Sequence, residues 1–440
     1  MTTVGATTPN TAGRLGWGVA GLLVAGNMIG SGLYLLPATL APFGSSSLIG
    51  WLVCGVGALV LALMFGALGR FRPGADGLID QAEQGLGRFA GYLAALAYWM
   101  ACLAGNVAVA IAGTGYLAFF FPVLEQPWPA AMANLGFIWV ATLAYIFGAR
   151  SAARLGAAAL IVGLLPILIA VAAAGVAFRP QTFAASWSPE GLSLAQSVPP
   201  SLAIIFWAFL GLESAAVLSR QVRDPARDVG RATVAGVGLA LVVYIAACVA
   251  VFGVIPAERL ALSTSPYADL AARVFGASIA GLVAACAVIK VLGTVTGWTM
   301  MGGETARRAA EKGWAPRWFG GGGRGRPLSN PLINGGVVTV LALISVQPTL
   351  GEQFGVLVGV TSVLCLTLYA LCAVGLWKAS TEVRWRLLAL AGLVFSVAAV
   401  VAASTGYVWP TLGFFTLCAL AWLWVRRQAP PAVDPGPGPL

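Results

Sequence analysis

Apolar runs long enough to cross a lipid bilayer follow one another along nearly the whole chain, separated by short segments that hold its charges, prolines and glycine clusters. A helical crossing needs about 20 predominantly apolar residues. Inside hydrocarbon every backbone N–H and C=O must also find its partner within the protein. Such a chain folds as an all-α membrane protein. The runs fall at about 15–41, 46–69, 89–121, 130–148, 153–177, 197–218, 232–254, 276–302, 331–348, 353–377, 386–404 and 407–425, which predicts twelve transmembrane helices with both termini on one side. With 59% hydrophobic and 9% charged residues, little polar surface is left to clothe a large domain outside the membrane.

The charges are distributed unevenly between the two sides. Of 25 Lys and Arg, 21 fall on one side of the predicted spans, only Arg179, Arg259 and Arg273 on the other, and Lys290 inside a span. This is the positive-inside bias of a membrane protein, so the net charge of +10 does not point to nucleic acid. It predicts a cytoplasmic N-terminal segment at 1–14 and a cytoplasmic C-terminus, with a disordered Pro-rich tail at 428–440. No cleavable signal peptide is expected. The segment ETARRAAEKGWAPRWFGGGG after Gly303 reads as a short interfacial amphipathic helix ending in a flexible glycine run.

Histidine is absent, which removes the commonest metal ligand and the side chain that ordinarily titrates near neutral pH. The seven cysteines all lie in apolar runs without a CxxC pair and read as buried hydrophobes. No HExxH, GxSxG or Walker A motif occurs, so a membrane-embedded enzyme or an ATP-driven pump is disfavoured, and no metal or cofactor is expected.

Two spans carry irregular features at mid-depth. Span 1 holds Gly26-Asn27-Met28-Ile29-Gly30-Ser31-Gly32, and each glycine costs a helix up to about 1 kcal/mol. Such a cluster serves either close helix packing or a break that lines a polar cavity. Span 6 favours the break, because it repeats the pattern at Gly211 beside Glu213, the only carboxylate inside any predicted span. Interrupted helices at corresponding positions of two halves mark a transporter site at an inverted repeat. Lys290 is the other buried charge, fourteen residues and so about 21 Å into span 8. Glu213 and Lys290 are therefore candidate gating or coupling residues.

The stretches GNMIGSGLYLLPATLA (span 1), YWMACLAGN (span 3), WAFLGLESAAV (span 6) and GWTMMGGETARRAAEKG (after span 8) resemble the basic amino-acid/polyamine antiporters of the amino acid–polyamine–organocation superfamily, the arginine–agmatine branch above all. The resemblance runs from about Leu15 to Arg427. It implies a LeuT-like 5+5 inverted repeat, about 15–177 and 197–377, plus two C-terminal helices; the excess of Arg over Lys, 22 to 3, points by association to the inner membrane of a bacterium. The resemblance also implies small-molecule amino-acid or amine substrates, the lipid bilayer as surroundings, and a homodimer as the assembly that relatives suggest. By the same resemblance the substrate lies on Asn27, Ile29, Ser31 and Gly32, between Trp207 and Trp298, lined by Ala101, Cys102, Asn106, Leu210 and Thr361, with Tyr98 at an outer gate and Glu213 as the family's span 6 glutamate.

The chain departs from that pattern in three places. Residues Gly74 to Ala82 lack the tyrosines of relatives, a pocket methionine becomes Val109, and Lys290 replaces a small neutral residue. A charged Lys290 facing the site would repel a dication and favour neutral or acidic amino acids. If paired with Glu213 it would be electrically quiet, and in a crevice away from the site it would not select. A secondary amino-acid antiporter is the reading these residues favour, with a proton-coupled neutral amino-acid carrier using Lys290 or Glu213, or a channel, as alternatives.

Overall fold

The computed structural model describes residues 16–72, 75, 77–147, 158–159, 161–213, 225–320 and 328–428, and all regular structure among them is helical. The expectations for segment 1–14, for Gly74 and Asp76, for the glycine run beyond Gly320 and for nearly all of the tail lie outside these residues. In chain order the helices used below are α1 (Trp17–Met28), α2 (Leu36–Leu40), α3 (Ser47–Phe71), α4 (Leu78–Leu86), α5 (Arg88–Ala118), α6 (Pro127–Phe147), α7 (Leu165–Ala177), α8 (Leu194–Phe206), α9 (Pro225–Val254), α10 (Pro266–Phe275), α11 (Ala277–Glu311), α12 (Ser329–Ile344), α13 (Leu350–Ala379), α14 (Val383–Val401) and α15 (Thr405–Gln428). Among the described residues eight helices, α3, α5, α6, α9, α11, α13, α14 and α15, are long and apolar enough to cross a membrane. Shorter apolar helices, α1, α7, α8 and α12, lie in predicted spans 1, 5, 6 and 9.

Composition decides which helices sit inside the bundle. α5 is rich in alanine and glycine, and 78% of its most apolar window is buried; for α13 the figure is 72%. Small side chains let neighbouring backbones approach, as at Gly66 of α3, where an added Cβ would stand 3.2 Å from the Gly230 Cα of α9. α14 and α15 are only 22% and 17% buried and form the periphery. Leu22, Val56, Val176, Val242, Leu387 and Leu417 all point outward. So much exposed aliphatic surface suits lipid and not water.

One sequence expectation is corrected. The segment from Glu304 is not a separate interfacial helix but the last two turns of α11, which runs unbroken for 35 residues. Gly302 and Gly303 do not end the helix because they pack closely, Gly302 against Cys102 and Leu103 of α5 and Gly303 against Tyr145 of α6. Beyond them Glu304 pairs with Arg307 and Arg308, and Arg307 pairs with Glu311. Such i,i+3 and i,i+4 pairs support a partly exposed, charged helical end.

Candidate functional site

α1 stops inside predicted span 1. Ile29 leaves helical geometry at φ −70°, ψ 72°, Gly30 is extended, and the chain resumes as a 3-10 turn over Ser31–Tyr34 before α2. Of Asn27, Ser31 and Gly32 the structure describes the backbone, and all three lie at or beside this break. Span 6 breaks in the same manner. α8 ends at Phe206, a 3-10 turn covers Trp207–Phe209, Leu210 is extended, and Gly211 takes φ +103°, a backbone conformation few residues but glycine adopt. The two 3-10 turns pack against each other.

Breaks of this kind free carbonyls that water would otherwise have to satisfy. Three buried tyrosines from distant parts of the chain supply donors. The Tyr244 hydroxyl of α9 donates to the Ala208 carbonyl (2.7 Å), that of Tyr116 on α5 donates to the Tyr34 carbonyl (3.1 Å), and Tyr34 itself donates to the Gly163 carbonyl (2.6 Å). Gly163 lies at a further interruption, a turn immediately before α7 in span 5. Sequence reading missed these tyrosines; the signal available was a tyrosine well inside an apolar run, away from the interfacial belt.

Glu213 is 8% exposed and follows directly on the span 6 break. Its carboxylate accepts from the Gly211 N–H (3.1 Å) and from the Tyr369 hydroxyl of α13 (2.7 Å), and Tyr98 of α5 faces the same group. Cys102 and Cys365 stand close by. Two tyrosines and a backbone amide thus satisfy an acid that would be costly alone in hydrocarbon. No ion pair joins it to Lys290 among the described residues.

Trp207 and Trp298 stack with ring centroids 5.2 Å apart and planes inclined by 26°. Both rest on Gly105 of α5, where an added Cβ would come within 2.5 Å of Trp298 and 3.0 Å of Trp207. On the next residue the Asn106 amide donates to the Thr299 hydroxyl of α11 (2.8 Å), while its buried carbonyl oxygen has no protein partner. Ala101 and Cys102 are buried on α5, and Leu210 is buried after the span 6 turn. Thr361 is buried one turn before Cys365 and donates to the Leu357 carbonyl (2.8 Å). The residues expected to line the site therefore cluster where α5, α11, α13 and the two breaks converge. Lys290 does not join them: its stem lies along Gly163 of span 5. A cavity of about 260 Å³ between α13, α14 and α15 is apolar and includes none of these residues.

The amino acid permease family model matches residues 15–423. The chain belongs to that family. It is 34% identical over 353 residues to the cadaverine/lysine antiporter of Escherichia coli (strain K12), covering 79% of each chain. It is 30% identical over 356 residues to the putrescine transporter PotE of the same strain, covering 80% of each. The putrescine transporter PotE of Haemophilus influenzae is 28% identical over 338 residues, covering 77% of this chain and 78% of that one. In this permease the described residues of the four sequence stretches lie at and after the two breaks, on α5 from Tyr98 to Asn106, and on α11 from Gly297 onward.

Proposed function

We propose that this permease is a secondary active antiporter that exchanges an amino acid for its amine product, or for another amino acid, by alternating access. The observation that carries the reading is the contact between two interrupted helices beside the stacked Trp207–Trp298 pair. Free backbone N–H groups at such breaks suit a carboxylate, and free carbonyls suit an ammonium. In this reading the backbone from Asn27 to Gly32 holds the substrate's amino and carboxyl groups. Trp207 and Trp298 part to admit the side chain and stack on it, with Ala101, Cys102, Leu210 and Thr361 as walls. The unpaired Asn106 oxygen supports a polar contact there. Tyr98 and Glu213 gate and couple the movement.

The names of the relatives, a cadaverine/lysine antiporter and putrescine transporters, favour amino acids and amines as the exchanged pair. The wider proposal has twelve spans, the first ten as two inverted repeats and the last two at the periphery, in the inner membrane of a bacterium with cytoplasmic termini. The test is counterflow. Proteoliposomes preloaded in turn with lysine, cadaverine, ornithine, putrescine, arginine, agmatine or alanine should take up the labelled partner with saturation and trans-stimulation. A flux that neither saturates nor responds to the internal load would make the protein a pore.

A further inference from the structure

Lys290 stands apart from the site just described. It is 7% exposed, and among the described residues nothing pairs with its ammonium. The one carboxylate of the predicted spans, Glu213, is engaged by Tyr369 and Gly211. The stem lies where Gly163 has no side chain; a Cβ there would come within 2.5 Å of the Lys290 Cγ and Cδ and 2.8 Å of its Cβ. Gly163 marks the interruption of span 5, and its carbonyl is held by Tyr34, the last residue of the turn that follows the span 1 break. The lysine thus sits at the joint of two interrupted helices, one hydrogen bond away from the candidate site.

We propose that Lys290 is a proton-binding site tied to the transport cycle, its ammonium losing a proton to water when spans 5 and 8 close over it and regaining one when they part. This rests on the alternating-access reading. The reason is desolvation. An unpaired charge is penalised in a dry, low-dielectric joint and relieved in a hydrated one, so the two conformations bind the proton unequally. What binds unequally to two states shifts the balance between them. The helices packed against α11 carry these titratable or charged side chains: Arg88, Tyr92, Tyr98, Cys102 and Tyr116 on α5, Tyr145 on α6, where it meets Gly303, and Tyr267, Asp269 and Arg273 on α10; the turn after the span 1 break adds Tyr34, α11 itself has Cys286 one turn before Lys290, and α7 and α12 carry none. Asp269 is engaged by the Ser263 hydroxyl, and Tyr34 and Tyr116 donate to carbonyls. Glu213, Asp269, Tyr34 and Tyr116 are thus each engaged, whereas the Lys290 ammonium has no partner among the described residues.

The full-length protein is reconstituted with a pH-reporting dye inside the vesicles, and exchange of lysine, cadaverine, arginine, agmatine and alanine is followed from acid to alkaline pH. The parent's exchange should change several-fold with pH, and an imposed pH gradient should drive at least tenfold accumulation with a matching proton flux. Lys290→Met has no proton to bind, so its normalised rate should be flat with pH and gradient-driven accumulation should vanish. Lys290→Arg keeps a permanent charge and should be slow at every pH. A monodisperse Lys290→Met, or Lys290→Gln where the first does not fold, whose pH profile overlays the parent's would overturn the proposal. So would a parent that exchanges without pH dependence or proton flux. A parent that exchanges none of the five probes would count against the transport reading itself.

Discussion

Gly105 carries more of the candidate site than its size suggests, because two indole rings use the space it leaves. Gly105→Val would drive a branched side chain into Trp298 and Trp207. Exchange should fall at least tenfold while helix content stays that of the parent; a variant that exchanges at the parent's rate would separate the tryptophan pair from transport. The two rings also depend on each other, so their substitutions should not add. Stacking of this kind is worth about 0.5–1.5 kcal/mol. Trp298→Ala should weaken substrate binding and Trp207→Ala should mainly slow closure, and the double variant should be little worse than the poorer single one in a binding titration and an exchange assay. Strict additivity would mean that the stack is incidental. At Tyr369 the hydroxyl donates to a buried carboxylate, a bond worth roughly 1.5–3 kcal/mol. Tyr369→Phe should lower thermal stability measurably and slow exchange several-fold; equal melting curves and equal rates would show that Tyr98 and Gly211 suffice for Glu213. The sequence singled out Glu213, Trp207 and Trp298 by residue type and depth. It could not single out Gly105, since a glycine's role depends on what faces it.

Among the elements, α4 is a short amphipathic helix that needs anchoring. Lys312, just past the end of α11, pairs with Asp80 (2.9 Å) and Glu83 of α4 and lies over the Trp314 ring. Arg72, at the end of α3, donates to the Gln81 carbonyl of α4 and the Gly375 carbonyl of α13 (2.9 Å each). These two cations tie the ends of three membrane helices to one surface helix. Burial opposes the charge on Lys312, but the hydrogen bonds to Glu83 and Asp80 outweigh it and hold its pKa above the ordinary lysine value. A raised lysine pKa gives stability that is fully present below the unfolded-state value and is lost as pH rises through the folded one. Lys312→Met should therefore cost about 1 kcal/mol at neutral pH, as expected for partly exposed pairs, and parent and variant should converge only in strong alkali. Thermal melts at neutral and alkaline pH check this; equal melting at neutral pH would leave Arg72 as the anchor. Both partners belong to charged segments that the sequence marks as lying outside the membrane. Which charges meet was not legible, because 229 or more residues separate Lys312 from its acids.

For the whole molecule the orientation proposed from the arginines can be tested with cysteine labelling, since all seven native cysteines are buried. Leu262, before α10 and α11, is 84% exposed, and Trp318, after α11, is 61% exposed. A membrane-impermeant maleimide should reach Leu262→Cys on intact cells and Trp318→Cys only after permeabilisation. The opposite pattern would invert the proposed orientation, and labelling of both from one side would contradict α11 as a crossing.

The apolar runs by themselves determined that this chain forms lipid-facing helices, because a backbone in hydrocarbon must bond to itself and long aliphatic stretches have nowhere else to go. The glycines in spans 1 and 6 likewise marked where two of those helices yield, since their cost to a helix is local. What the freed groups then bond to was decided by tertiary packing alone. Tyr244, Tyr116 and Tyr369 reach the breaks from 36, 82 and 156 residues away in the chain. The same holds for Lys290, whose depth was readable but whose neighbour was not: only the packing of span 8 on span 5 put its stem beside Gly163 and away from Glu213. The continuation of α11 through Gly302 and Gly303 belongs here as well, because glycine breaks a helix when it faces water or a cavity and keeps one when a neighbouring helix closes on it.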